Sequence, residues 1–110
     1  MAFIDSKRFI KRLNQINKLD PKSSLKGVNR IALTQEDKKA RDQICKWMRD
    51  LKLKIKIDNI GNIFGFYNFN RNKKPFLLGS HIDSVKNGGR YDGSLGVIGG
   101  LEVIQTLIEK

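Results

Sequence analysis

Apolar residues along this chain fall into blocks with two different periods. Phe9, Ile10, Leu13, Ile16 and Leu19 recur at helical spacing behind Asp5 and Ser6, both residue types that cap helices, and Asp20-Pro21 ends the pattern. An amphipathic first helix is predicted, with Lys7, Lys11, Arg12 and Lys18 on a solvated opposite face. Pro21 to Arg30, with its serines and glycine, reads as a connection. Thr34 then stands where an N-cap belongs, Glu36 and Asp37 fall in a first turn where the helix dipole favours acids, and Ala40, Ile44, Trp47, Met48 and Leu51 share one face. This predicts a second helix from Gln35 to Leu51. Trp47 and Met48, at helical spacing, are expected in its core, as is Cys45.

From Leu53 the period changes to two. Leu53, Ile55 and Ile57 alternate with Lys52, Lys54, Lys56 and Asp58, a half-buried strand, and a turn at 59–62 containing Gly61 leads to a partner strand at 63–69, interrupted by Gly65. A hairpin is expected. After the polar loop 70–74 and Pro75, the continuous run Phe76, Leu77, Leu78 reads as a short strand buried on both faces of a sheet. The last block, Leu95, Val97, Ile98, Leu101, Val103, Ile104, Leu107 and Ile108, is apolar around most of a helix and therefore expected to be buried all round. Leu95, Ile98, Leu101, Ile104 and Ile108 would cover a stripe against the sheet, leaving Val97, Val103 and Leu107 in need of further neighbours. Gly99 and Gly100 inside that helix cost about 1 kcal/mol each relative to Ala, which fits close approach of another backbone. Within 110 residues there is too little material to cover a hairpin, both faces of a strand and a whole helix. The fold class expected is α/β, the first part of a larger domain truncated after its first strand-loop-helix segment.

Composition narrows the function classes. The net charge of +11 raises nucleic acid as a partner, but Lys and Arg are scattered over nearly every segment, so a nucleic-acid-binding module ranks last. A single cysteine excludes an internal disulfide framework or a cysteine-based zinc cluster, and a reducing cytoplasm is the expected setting. The first twenty residues lack the apolar core of a secretory signal, and no apolar stretch approaches a membrane span.

The candidate chemistry lies in GSHIDSVKNGGRYDGSLG, from Gly79 to Gly96, where the only histidine, His81, sits with Asp83 and Asp92 between the expected strand and the last helix. Neutral imidazole and carboxylate suit zinc or a related divalent ion, and a carboxylate two residues from the histidine can orient its ring. Asn87-Gly88-Gly89 can bend the loop and bring Asp92 towards His81. The alternative is that these side chains only satisfy local hydrogen bonds. A phosphate cradle at Gly88-Gly89 fits poorly, because Asp92 would repel an anion and no Walker lysine is present.

The run GSHIDSVKNGGRYDGSLGVIGGLEVI resembles the first metal-binding segment of the N-carbamoyl-L-amino acid hydrolases, which with the allantoate amidohydrolases and β-ureidopropionases form a branch of the dinuclear zinc aminopeptidase-like amidohydrolases. GVNRIALTQEDKKARDQICKWMRDLKL (27–53) and DNIGNIFGFY (58–67) match the same branch in order and spacing. Ile82 and Ser84 stand where the family usually has Leu and Thr. The resemblance implies that residues 1–110 are the N-terminal portion of a three-layer α/β/α catalytic domain of the zinc-aminopeptidase (phosphorylase/hydrolase-like) type, with the rest of that domain and a dimerisation domain beyond Lys110. It implies two divalent metal ions (Zn, or Mn, Co or Ni), with His81 ligating one, Asp92 bridging both, and Asp83 orienting His81 as the catalytic carboxylate present. A Glu-Glu pair and two later histidines would complete the site. The implied substrate is a small N-carbamoyl amino acid or a ureido compound such as allantoate, and the implied assembly is a homodimer. A related aminoacylase or peptidase, and a non-catalytic remnant, remain alternatives. Arg30 and Arg90 match family positions and are read as salt-bridge residues.

Overall fold

The computed structural model describes residues 3–20 and 27–110; residues 21–26 of the expected connection lie outside the described residues. Five elements follow in order: α1 (Ser6–Lys18), α2 (Gln35–Asp50), β1 (Lys54–Ile57), β2 (Ile63–Phe66) and α3 (Ser94–Ile108). The caps are those the sequence offers. The Asp5 side chain accepts from Arg8 N at 3.0 Å to start α1. At α2, Thr34 Oγ1 accepts from Asp37 N at 3.4 Å while Asp37 Oδ2 accepts from Leu33 N at 3.0 Å, satisfying donors on both sides of the helix start.

β1 and β2 form the expected antiparallel hairpin, with Lys54 opposite Phe66 and Ile57 opposite Ile63. Its turn is built on Asp58, whose Oδ1 accepts from Ile60 N and Asn62 N at 3.1 and 2.8 Å, with Gly61 taking a φ of 90°. Gly65 does not interrupt β2, where it pairs with Ile55; it makes room for Met48 of α2 and for Leu53, since a Cβ here would stand 3.0 Å from both Leu53 Cδ1 and Met48 Sδ.

The core is made by three helices rather than by a sheet. Leu13 and Ile16 of α1, Ala40, Ile44 and Trp47 of α2, and Ile98 and Leu101 of α3 form one buried cluster. Arg12 departs from the solvated face expected for it. It is buried, with its guanidinium 5.2 Å from the centre of the Trp47 ring, because its long side chain runs along the edge of the apolar stripe.

Two expectations change. Phe76, Leu77 and Leu78 form no strand; Phe76 and Leu77 are 89% and 78% exposed. The one ladder among the described residues is β1–β2, so this segment has no strand partner there. The helix α3 is not buried all round. It packs on α1 through Ile98 and Leu101, while Leu95, Val103 and Leu107 face outward. Leu95 therefore leaves the stripe assigned to it, because α3 leans on a helix and not on the hairpin. Close backbone approach to α3 does occur, but at Gly96, where a Cβ would meet Ser80 Cβ at 2.7 Å, and less tightly at Gly100, 3.4 Å from Leu78 Cβ.

One buried acid was not anticipated. Glu102, 1% exposed, takes a fork of bonds from Arg8 (Nε 2.8 Å, NH2 2.7 Å) and a third from Asp5 N at 2.9 Å. Bonding to Arg8 holds its carboxyl below the usual range.

Candidate functional site

The loop 81–93 is held in place from three sides. Ile82 turns its side chain against the helical core, and its carbonyl accepts from Arg30 Nε at 2.6 Å. His81 and Asp83, on either side of Ile82, are both substantially exposed. Next along the chain, Ser84 N donates to Arg30 O at 2.7 Å, and Val28 and Gly88 exchange two main-chain bonds of 2.9 and 2.8 Å. The segment 28–30, expected as plain connection, is thus a short strand-like brace for the loop. Gly27 fits there because a Cβ would lie 2.6 Å from the Asn87 carbonyl carbon, and the bend expected at 87–89 is taken at Asn87, with a positive φ of 52°.

His81 Nδ1 lies 3.0 Å from Asp83 O and 3.4 Å from Asp83 Oδ1. A carbonyl oxygen only accepts, so the contact calls for a proton on Nδ1, and in the neutral ring Nε2 then presents its lone pair. Asp92 Oδ1 stands 3.7 Å from that Nε2. Asp92 reaches this position because Gly93, the residue before α3, takes a φ of 77°, and because Gly93 has no side chain: a Cβ would fall 2.5 Å from Cε1 and Nδ1 of the His81 ring. The side chains of His81 and Asp92 are more than half exposed, and that of Asp83 somewhat less than half.

This arrangement brings His81 and Asp92 together on one side of the imidazole and puts Asp83 on the other. Among the described residues no group of three or more ligating side chains converges, so the pair stands as two donors. In the neutral ring this lone pair faces a carboxylate oxygen, an acceptor pair that a cation would satisfy. Two ligands of one tetrahedral zinc, each about 2.0 to 2.1 Å from it, lie roughly 3.3 Å apart, close to the separation here. The donor set fits a divalent ion.

Arg30 and Arg90 do different work. Arg30 is 1% exposed, and its guanidinium donates to main-chain carbonyls, Ile82 O and Ile16 O (3.3 Å), in place of the carboxylate partner expected from sequence. Burial pulls its pKa down, while Asp20, Asp37 and Asp83 favour its charged form. The Arg90 side chain is exposed, and its carbonyl accepts from Asn17 Nδ2 at 3.2 Å and Ser94 Oγ at 2.9 Å. The sequence signal for Arg30 was an arginine inside the apolar run VNRIAL.

No protein-family model matches the chain. Among curated proteins it is 39% identical over 101 residues to an N-carbamoyl-L-amino-acid amidohydrolase from Pseudomonas sp. (strain NS671), covering 91% of this chain and 23% of that protein. It is 33% identical over 99 residues to allantoate deiminase 1 of Glycine max, covering 89% of this chain and 20% of that one. Among solved structures, a hydantoinase/carbamoylase family amidase from Burkholderia ambifaria superposes with a TM-score of 0.88 at 36% identity, covering 99% of this chain and 27% of the other. The chain spans about a quarter of the length of these relatives. In sequence and in its mixed helix-and-strand fold, it belongs over that span to the family of N-carbamoyl-L-amino acid amidohydrolases and allantoate deiminases.

Proposed function

We propose that this chain supplies the first ligand segment of a metal-dependent amidohydrolase that hydrolyses linear C–N bonds of N-carbamoyl-L-amino acids or of ureido compounds such as allantoate, within a longer cytoplasmic, homodimeric protein. The observation that carries this reading is the lone pair of His81 Nε2 facing Asp92 Oδ1 at 3.7 Å, on a chain whose relatives are named for that chemistry. His81 and Asp92 would hold a divalent ion, zinc or manganese, and Asp92 would share a second. Such an ion supplies Lewis-acid polarisation and lowers the pKa of a bound water. The chain's own residues do the orienting. Asp83, through its carbonyl and carboxylate, keeps the His81 proton on Nδ1 so that Nε2 stays free to ligate. Gly93 lets the start of α3 stand against the ring, and Asp92 is thereby fixed within reach.

Zinc titration of the 110-residue chain, followed by the ring nitrogen resonances of its single histidine, tests this. Zinc should move the Nε2 signal, and Asp92→Asn should weaken the effect at least tenfold. A His81 ring indifferent to zinc, or a D92N variant equal to the parent, would sink the proposal.

A further inference from the structure

We infer that Arg30 is a positioning residue for the proposed metal ligand His81, acting by clamping the backbone on both sides of Asp83. The inference rests on the metal reading above for its purpose, though not for its geometry. Arg30 Nε holds the Ile82 carbonyl at 2.6 Å, immediately before Asp83, and the Arg30 main-chain oxygen holds Ser84 N at 2.7 Å, immediately after it. Its own N–H donates to Ser84 Oγ at 2.9 Å. One residue thus fixes both peptide units flanking Asp83. The carbonyl left over, Asp83 O, is the one that receives the His81 Nδ1 proton.

Arginine suits this position for a specific reason. Its rigid fork spans two acceptors from different elements, Ile82 O in the loop and Ile16 O near the end of α1, so the loop is referenced to the helical core. A buried guanidinium donating to carbonyls is a costly way to stabilise a fold, where an apolar side chain would pack at lower cost. What the guanidinium adds is direction: the Ile82–Asp83 peptide is oriented, and with it the tautomer of the ring.

The test uses the full 110-residue chain, whose one histidine makes the ring signals unambiguous. At about pH 8, where an ordinary imidazole is neutral, and without metal, the nitrogen shifts of the parent should show a single tautomer with the proton on Nδ1. Arg30→Lys keeps the charge and loses the fork; it should give a mixture of tautomers and bind zinc about 10-fold more weakly, as lost outer-shell partners do. Far-ultraviolet circular dichroism and Trp47 fluorescence establish that the variant is folded. If R30K does not fold, Arg30→Met takes its place: an apolar side chain of similar length packs without the buried charge and removes both guanidinium bonds, and it should also release the tautomer.

A parent chain with averaged tautomers overturns the inference at once. A folded R30K, or R30M in its stead, with the parent's tautomer and zinc affinity overturns it too, and leaves the metal reading standing. The converse outcome is separable: zinc that never perturbs His81 defeats the metal reading, while the tautomer comparison still decides the role of Arg30.

Discussion

A single methyl group at position 93 would break the contact on which the candidate site depends. Gly93 has both a left-handed φ of 77° and the His81 ring where its Cβ would be, so Gly93→Ala should cost about 1 to 3 kcal/mol from backbone strain alone and push the ring away from Asp92. Thermal unfolding reads the first effect and His81 ring shifts the second. Asp83→Asn is gentler. The main-chain carbonyl of Asp83, at 3.0 Å, holds Nδ1 more closely than its carboxylate at 3.4 Å, so the variant should weaken zinc binding by about tenfold, the lower end for such partners. His81, Asp83 and Asp92 were legible in the sequence because they lie within one short motif of ligating residue types. Arg30 was not legible in its role, since the partner that explains it, Ile82, is 52 positions away and offers only a backbone carbonyl, which no residue code reveals.

Between elements, the decisive contact is the clasp of α1 on α3 through Glu102. Its folded pKa lies below the ordinary 4.5, so the carboxylate contributes stability above that pH and loses it as pH falls through the folded value. Acid should therefore release α1 first, detectable as a change in Trp47 emission, because Arg12 of α1 lies over that ring. Removing the partner by Glu102→Ala leaves the Arg12 charge uncompensated and Arg8 with Glu109 alone, at 2.7 Å, and should cost about 3 kcal/mol in denaturant unfolding. The outer face of α3 behaves in the opposite sense. Val103 and Leu107 are exposed, so replacing both with Glu should raise solubility and reduce dye binding by the isolated chain with little loss of helix content. Helix boundaries were readable from caps and period to within a residue or so, as Thr34 and Asp5 illustrate. The orientation of α3 was not: a helix apolar on most sides carries no record of which side is used, and Leu95 went outward.

At the scale of the molecule, the proposed ligands His81 and Asp92 are two donors among the described residues, fewer than a dinuclear site would use. Incubation of the 110-residue chain with N-carbamoyl amino acids or allantoate and zinc or manganese should give no turnover by product assay. Measurable metal-dependent hydrolysis would mean that a base exists among the residues already described. The fold class was readable from the alternation of helical and two-residue periods, whereas pairing of Phe76 to Leu78 was not realised, because a strand's partner is a property of the whole sheet.

The Arg8–Glu102 clasp also has a timing. Its two residues are separated by 94 positions, so while the chain is being made α1 has no acid to dock against until nearly all of the segment exists. At about 5 to 20 residues per second that interval is roughly 5 to 20 seconds, during which Leu13 and Ile16 lack the α3 side of their core. Ribosome-bound chains stopped before Ser94 should accordingly be digested within α1, and chains carried past Glu109 should be protected.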